Sequence, residues 1–335
     1  MSKEILPEPY DGLLARIGDL LTTQRRQVYQ IVNSTLLKTY WEIGRHIVEF
    51  EQGGNLKATF GTALLARLSK DLTQLHGKGF SRSNVNYMRL LFKRYEVVQT
   101  LSVQLHWAHY CELLKLDDDL ERNFYLKQCE HEGWTVRELR RQMDSLLFHR
   151  LALSKDKDGV LALAQTGQQV QNPEDLIRDP FVLEFLKLPA QKRYKEKDIE
   201  ERLISFLQDF LLELGKGFAF IGRQYSIQID SKFYRIDLLF YHRILKCFVV
   251  IDLKRGIADH GDVGQMNMYL NYFKNEESAP DDNEPIGIIL ATNNSNLAIE
   301  YALGGLSTQI FVTRYQLYLP SRTLLEEKLR LLLEA

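Results

Sequence analysis

The chain has few cysteines. Cys111, Cys129 and Cys247 are odd in number, far apart and without metal-ligand spacing. That rules out a disulfide framework or a cysteine-bound metal. The pattern fits a reducing compartment, so a cytoplasmic location is expected. Long apolar runs are missing too. No stretch of 18 residues is free of charged side chains, so neither a membrane span nor a membrane partner is expected. The opening residues, MSKEILPEPYDGLL, contain no apolar h-region, and secretion is not expected. Nor is there an excess of either charge. With 43 Lys and Arg against 44 Asp and Glu, the formal net charge is −1. Any contact with nucleic acid must therefore come from local basic faces. Internal repeats and low-complexity tracts are absent.

What is present describes an ordinary globular protein, 45% hydrophobic and 26% charged. A length of 335 residues suggests about two domains. Residues 1–153 read as an all-α N-terminal domain, 154–172 as a linker and 173–335 as a second domain. Leu13, Leu14, Ile17, Leu20 and Leu21 recur at helical spacing. Further helices are expected over Val28–Glu51 and Ala63–Leu75. In HGKGFSRSNVNYMRLLFKRY, Gly77 and Gly79 make a turn and Ser81 or Ser83 caps a new helix. That helix carries Arg82, Asn84, Arg89, Lys93 and Arg94. A helix, a turn and a basic polar helix form a helix-turn-helix outline, with side chains of the types that reach phosphates and base edges. The plainer reading is a solvated basic face. His106 and His109 have too few further ligands nearby for a metal. Thr135-x-x-Glu138 is a capping box. It opens a helix bearing Arg137, Arg140 and Arg141, read as a basic surface helix. The stretch SKDKDGVLALAQTGQQVQN has the charges, Gly and Gln of a linker.

The second domain alternates differently. A periodic helix over Asp198–Leu214 ends at Gly215 and Gly217. Strands are expected at Phe218–Ile229, Phe233–Tyr241 and Lys246–Lys254, followed by a helix at Val263–Phe273. A strand at Ile286–Thr292, a short helix near Leu297–Leu303 and a strand at Gln309–Thr313 complete the order. A hairpin centred between Ile244 and Leu245 sets Asp237 opposite Asp252, with Lys254 on the same side as Asp252. Like charges so placed destabilise a sheet unless their pKa shifts or a cation joins them. Oxygen ligands of this kind suit Mg²⁺, which is held by one or two carboxylates together with substrate phosphates. The pattern reads as the centre of a metal-dependent nuclease. The bland alternative is a pair of strand-end acids in surface salt bridges.

Asp237, Asp252-x-Lys254 and Gln265-x-x-x-Tyr269, in this order of elements, resemble the PD-(D/E)XK nuclease superfamily. The segments GFAFIGRQYSI, IDLLFYHR, CFVVIDLK and GQMNMYLNY, with YWEIGRHIVEFEQ, GFSRSNV and EGWTVRELRRQM upstream, resemble the YhcG family over roughly residues 13–320. The resemblance implies an α+β two-domain architecture. An all-α, helix-turn-helix-like, DNA-binding N-terminal domain would precede an α/β restriction-endonuclease-like domain, whose central mixed sheet is flanked by helices.

The resemblance also implies site residues. Asp237, Asp252 and Glu200 would hold Mg²⁺ or Mn²⁺, with Glu201 the alternative to Glu200. Lys254 would act as a point charge or orient the attacking water. Gln265 and Tyr269 would position the lysine or the scissile phosphate. Arg223 and Gln224 are candidates to hold the nucleic-acid backbone, or else ordinary strand-edge residues. One departure is Asp252-Leu253-Lys254 where the family pattern is Glu-Leu-Lys; the shorter acid brings the cation closer to the strand. His260 and Asp262 are incidental or reach the metal. The expected activity is (endo)nuclease hydrolysis of DNA in processing or defence, with a homodimer or a restriction-complex partner as possible assemblies. The alternative is a catalytically inactive binding or assembly subunit.

Overall fold

The computed structural model describes residues 10–53, 58–95, 97–102, 104–188, 194–294, 303 and 309–334. The chain divides into two compact units. One comprises Met1–Arg122 with Gln128–Leu139, the other Asn123–Lys127 with Arg140–Ala335.

The first unit is helical: α1 (Tyr10–Gly53), α2 (Ala58–His76), α3 (Arg82–Arg94), α4 (Trp107–Leu113) and the two ends of α5 (Asp119–Glu132), whose middle, Asn123–Lys127, counts with the second unit. The expected helix at Val28–Glu51 is the later half of one 44-residue helix. Its earlier half leaves the periodic residues Leu13, Leu14, Ile17, Leu20 and Leu21 in solvent. Farther along, Leu37, Trp41, Ile47 and Val48 are buried. There α1 runs so close to α3 that a Cβ on Gly44 would lie 2.0 Å from the Met88 carbonyl oxygen. Only glycine fits, because the obstacle is backbone. Ser81 caps α3, its hydroxyl accepting the Asn84 N–H, as the sequence predicts.

The second unit opens with α7 (Leu147–Ala152) and then α8 (Lys157–Thr166), which lies within residues 154–172. Val160, Leu163 and Ala164 of α8 are buried. The helix α6 (Val136–Asp144) begins with the expected capping box, Glu138 accepting the Thr135 N–H at 2.6 Å and Thr135 accepting the Glu138 N–H. It is not a plain surface helix, however. Arg141 turns inward and pairs with Glu184 at 3.1 Å.

A six-stranded mixed sheet follows the order β1-β6-β5-β4-β3-β2. Its strands are β1 (Phe181–Val182), β2 (Phe218–Ile229), β3 (Lys232–His242), β4 (Cys247–Ala258), β5 (Ile286–Asn294) and β6 (Ile310–Gln316). Strands β2, β3 and β4 are antiparallel neighbours, and β4, β5, β6 and β1 run parallel. The short β1 has no counterpart in the sequence pattern, because two residues cannot show a period. The expected Asp198–Leu214 helix is two helices, α9 (Glu196–Ser205) and α10 (Leu207–Leu214), broken at Phe206. The helix α11 (His260–Tyr272) bridges β4 and β5, and α12 (Arg322–Glu334) ends the described chain. The helix expected near Leu297–Leu303 falls almost wholly outside the described residues.

Each sheet face carries its own core. On one, Ile199, Leu203 and Phe210 of α9 and α10 meet Phe240, Val249 and Ile251. On the other, Val263, Met266 and Tyr269 of α11 meet Leu239, Val250 and Ile289. Parallel strands buried on both faces need such continuous apolar runs.

Candidate active site

The hairpin pairs as its composition predicts, with Leu238 opposite Ile251 and His242 opposite Cys247. Beyond Leu238 and Ile251 the β3–β4 ladder stops. Strand β3 continues alone with β2, and β4 alone with β5. Asp237 and Asp252 stand at this fork. Asp237 replaces the missing backbone partner, its Oδ2 accepting the Leu253 N–H at 2.9 Å. Side chains alternate along a strand, so Asp252 and Lys254 share a face with Val250, the face covered by α11. Along β3 the alternation breaks at the fork, since Ile236 and Leu239 both belong to that same core.

Asp252 is 6% exposed. Burial, reinforced by the charge of Asp237, pushes its carboxyl up to about 7, although Lys254 pulls the other way. Lys254 Nζ lies 2.9 Å from Asp252 Oδ2 and 3.2 Å from Asp262 Oδ1. Burial alone would lower the lysine's pKa, but the two carboxylates together raise it. Lys254 is therefore a fixed cation.

Glu200, on α9, is buried, while Glu201 is exposed and faces Lys197. Glu200 reaches the fork through Gln224, whose amide nitrogen donates to Glu200 Oε2 at 2.8 Å and to Asp237 Oδ1 at 3.1 Å. Burial, then the charge of Asp237, raises the Glu200 pKa. Gln224 stands where β2 passes Asp237, between the pairs Arg223–Leu238 and Tyr225–Ile236, with φ +46°. A non-glycine residue in the left-handed region inside a strand is strained, and such strain gathers at functional sites. Arg223, its neighbour, is exposed and lowers the Glu200 pKa by its charge.

The chain kinks after Lys254. The β4–β5 register shifts between Lys254 and Ile257, Gly256 adopts φ +128°, and Thr292 bonds both the N–H and the carbonyl of Gly256. Bulges of this kind re-aim side chains next to active sites. Glu196 secures the bulge by accepting the Arg255 N–H at 2.8 Å. On α11, Gln265 and Tyr269 bond each other rather than Lys254, and the Tyr269 hydroxyl donates to the Arg235 carbonyl at 3.2 Å. They brace β3 against α11.

Sequence reasoning missed Asp262 as the lysine's second partner, although a signal was there. Asp259 and Asp262 form a reciprocal capping box at the start of α11. One Asp262 oxygen caps the helix while the other holds Lys254. Asp262→Ala is expected to cost about 1 kcal/mol of stability, the usual value of a lost cap, read as a lower urea midpoint. His260 is exposed and plays no such part.

The α3 residues diverge from expectation. Arg89 forks onto both Glu51 oxygens at 2.8 Å, and Arg94 pairs with Asp117 at 3.0 Å and Asp119 at 3.5 Å. Asn84 bonds the Gly79 carbonyl and accepts the Trp107 indole N–H. Their polar groups are taken up within the unit; Arg82 and Lys93 are exposed. His106 and His109 bond backbone and Asn33 rather than converging on a metal position.

Divalent-ion chemistry fits the fork in part. Among the described residues no three His, Cys, Asp or Glu side chains are arranged to hold an ion unaided. Two carboxylates with substrate phosphates suffice for Mg²⁺, however, and Asp237 beside the buried Asp252 supplies two. Glu200 would join as a third only if the Gln224 amide moved aside.

The mixed sheet with helices on both faces, carrying this acid, acid and lysine set at a strand fork, is a PD-(D/E)XK endonuclease-like fold. The YhcG PDDEXK nuclease domain model matches residues 174–330, and the DUF1016 N-terminal domain model matches residues 16–150. The Escherichia coli (strain K12) protein named "Putative nuclease YhcG" is 39% identical over 352 residues, covering 96% of this chain and 92% of the relative. This chain belongs to the YhcG family. Among solved structures, a repair endonuclease from Pyrococcus abyssi is 23% identical over 38% of this chain and 50% of its own, with a TM-score of 0.27. An EndoMS–dsDNA complex is 18% identical over 40% and 50%, with a TM-score of 0.28. Among the described residues no helix is long and apolar enough to cross a membrane.

Proposed function

We propose that this chain is a divalent-metal-dependent nuclease that hydrolyses phosphodiester bonds of DNA. The observation that carries the reading is the buried Asp252 held against Asp237 at the strand fork, with Lys254 clamped beside it. Asp237 and Asp252 are the proposed ligands of Mg²⁺ or Mn²⁺, with Glu200 behind them. A bound divalent ion supplies polarisation of the phosphoryl oxygen and a bound water of lowered pKa. The protein residues do the rest. Lys254, a raised-pKa cation between two carboxylates, serves as a positive charge toward the pentacovalent phosphate and not as a proton acceptor. Asp262 fixes its direction. Exposed Arg223 holds the backbone near Glu200. Gln224, spent on two carboxylates, positions these and does not contact the strand.

The test is cleavage of supercoiled plasmid, linear duplex, single-stranded DNA and RNA, each with Mg²⁺, Mn²⁺ or EDTA. Cutting of DNA with either metal and none with EDTA is expected. Retained DNA binding without cutting under any metal would replace this reading with that of a binding or assembly subunit.

A further inference from the structure

Arg89 and Arg94 of α3 are engaged within their own unit, and further cations without an ion pair among the described residues stand on α1. A cleft of about 860 Å³ opens between α1 and the segments around His106 and Trp134. That volume is within the roughly 300–1,000 Å³ of a small-ligand site. Among the described residues no Asp or Glu lines it, although the whole chain has net charge −1. Arg25 and Arg26 stand on one wall, both exposed, and neither makes an ion pair among the described residues. Tyr29, one turn on, is 73% exposed.

The opposite wall is stiff. Buried Asn33 donates to the Leu105 carbonyl at 2.7 Å and meets His106 Nδ1 through its oxygen at 3.3 Å. Buried His109 accepts the His106 N–H at Nδ1 and so donates from Nε2 to the Trp134 carbonyl at 2.9 Å. Burial lowers the His109 pKa, keeping this ring neutral. Trp134, 6% exposed, also lines the cleft, with its indole nitrogen buried away from solvent.

We propose that this cleft binds one nucleotide unit, its phosphate on Arg25 and Arg26 and its base against Tyr29. Two free guanidinium groups suit a phosphate, and an exposed aromatic face suits an unstacked base. A base inside a duplex has no free face, so the source is a single strand or a free mononucleotide. The inference stands apart from the nuclease reading, because it concerns the N-terminal unit and is tested without metal.

The experiment uses the full chain in EDTA, with fluorescent dT12 followed by anisotropy and with dTMP, AMP and duplex as competitors. The charge-reversed variant R25E/R26E is expected to bind dT12 at least tenfold more weakly. The slope of log affinity against log salt should flatten by about 1.4, two phosphate contacts at about 0.7 each. Tyr29→Ala should weaken binding about fivefold or more. All three positions are solvent-facing, and an unchanged urea midpoint confirms folding of the variants. A 5-iodouracil strand, irradiated in the complex, should crosslink to the peptide holding Tyr29 or Trp134, a readout that binding at the nuclease unit cannot produce. Displacement of dT12 by mononucleotides identifies a free nucleotide as sufficient, and its failure identifies the strand; both agree with the cleft. Wild-type affinity in both variants, or crosslinks mapping only outside the cleft, would overturn it. Cleavage is not read, so the result leaves the nuclease reading untouched.

Discussion

Lys254→Ala and Asp237→Asn are each expected to slow metal-dependent DNA cleavage by roughly 100- to 1,000-fold, the scale of removing one preorganised electrostatic group. The two act differently. Lys254 is the nearest positive charge to the buried Asp252, at 2.9 Å. Without it, Asp252 keeps only burial and Asp237 as neighbours, and both favour its protonated form. The variant should therefore lose cation affinity as well as stabilisation of the phosphate's developing charge. Asp237→Asn retains an oxygen for the Leu253 N–H, which now bonds at 2.9 Å, and so removes charge while sparing the fork. Alanine there would add the cost of an orphaned backbone donor, about 1–3 kcal/mol, and confuse a folding defect with a chemical one. Single-turnover plasmid cleavage in Mg²⁺, beside urea midpoints, separates these effects. Wild-type cleavage by either purified variant would remove the fork from the reaction. Asp252→Glu lengthens this acid by one methylene and tests whether its reach limits the rate.

Much of the fork was legible in the sequence. β-Branched and aromatic runs mark β2 with its observed bounds, and the symmetry of two such runs about Ile244 and Leu245 sets the register that the strands adopt. Period and composition are local, so they survive without a structure. What was not legible depends on partners far along the chain. Nothing near Arg89 announces Glu51, 38 residues away, and a basic helix whose charges are internally matched looks the same as one that is free. The break at Phe206 keeps the apolar period on both sides, so periodicity alone runs through it. Gln224 reads as an ordinary strand residue, because a left-handed φ leaves no trace in a side-chain pattern. Asp262 differs in kind. Its capping spacing was visible, and only its second contact, to Lys254, required the fold.

The largest effect on stability is expected from Glu213→Gln, a position outside the proposed active site. Glu213, on α10, is fully buried. Its carboxylate meets Arg150 at 2.6 Å, Arg141 and Arg178 at 3.5 Å each, and the Val182 N–H at 2.8 Å. One acid thus ties α6, α7, the approach to β1 and α10 together. Burial alone would raise its pKa, but the three guanidinium groups outweigh it and hold the carboxyl below the usual range. Glutamine preserves the shape and an acceptor but removes the negative charge shared by three guanidinium groups, of which only Arg141 has Glu184 beside it as well. Removing one partner of a buried ion cluster costs about 3–5 kcal/mol, which lowers the urea midpoint of the second unit's transition by about 1 M or more. The pH dependence has a definite sign. A carboxyl whose folded pKa lies below its unfolded value of about 4.3 binds more protons when unfolded. Its stabilisation is full above the unfolded pKa and disappears as pH falls through the folded one. The wild type should therefore lose its advantage over Glu213→Gln on acidification below about pH 4, and keep it from pH 6 to 8. Circular dichroism melts of both proteins across that range measure the difference directly. A constant gap down to the acid limit, or no gap at pH 7, would mean that the arginines are compensated by other groups and that Glu213 does not bind these helices to the sheet.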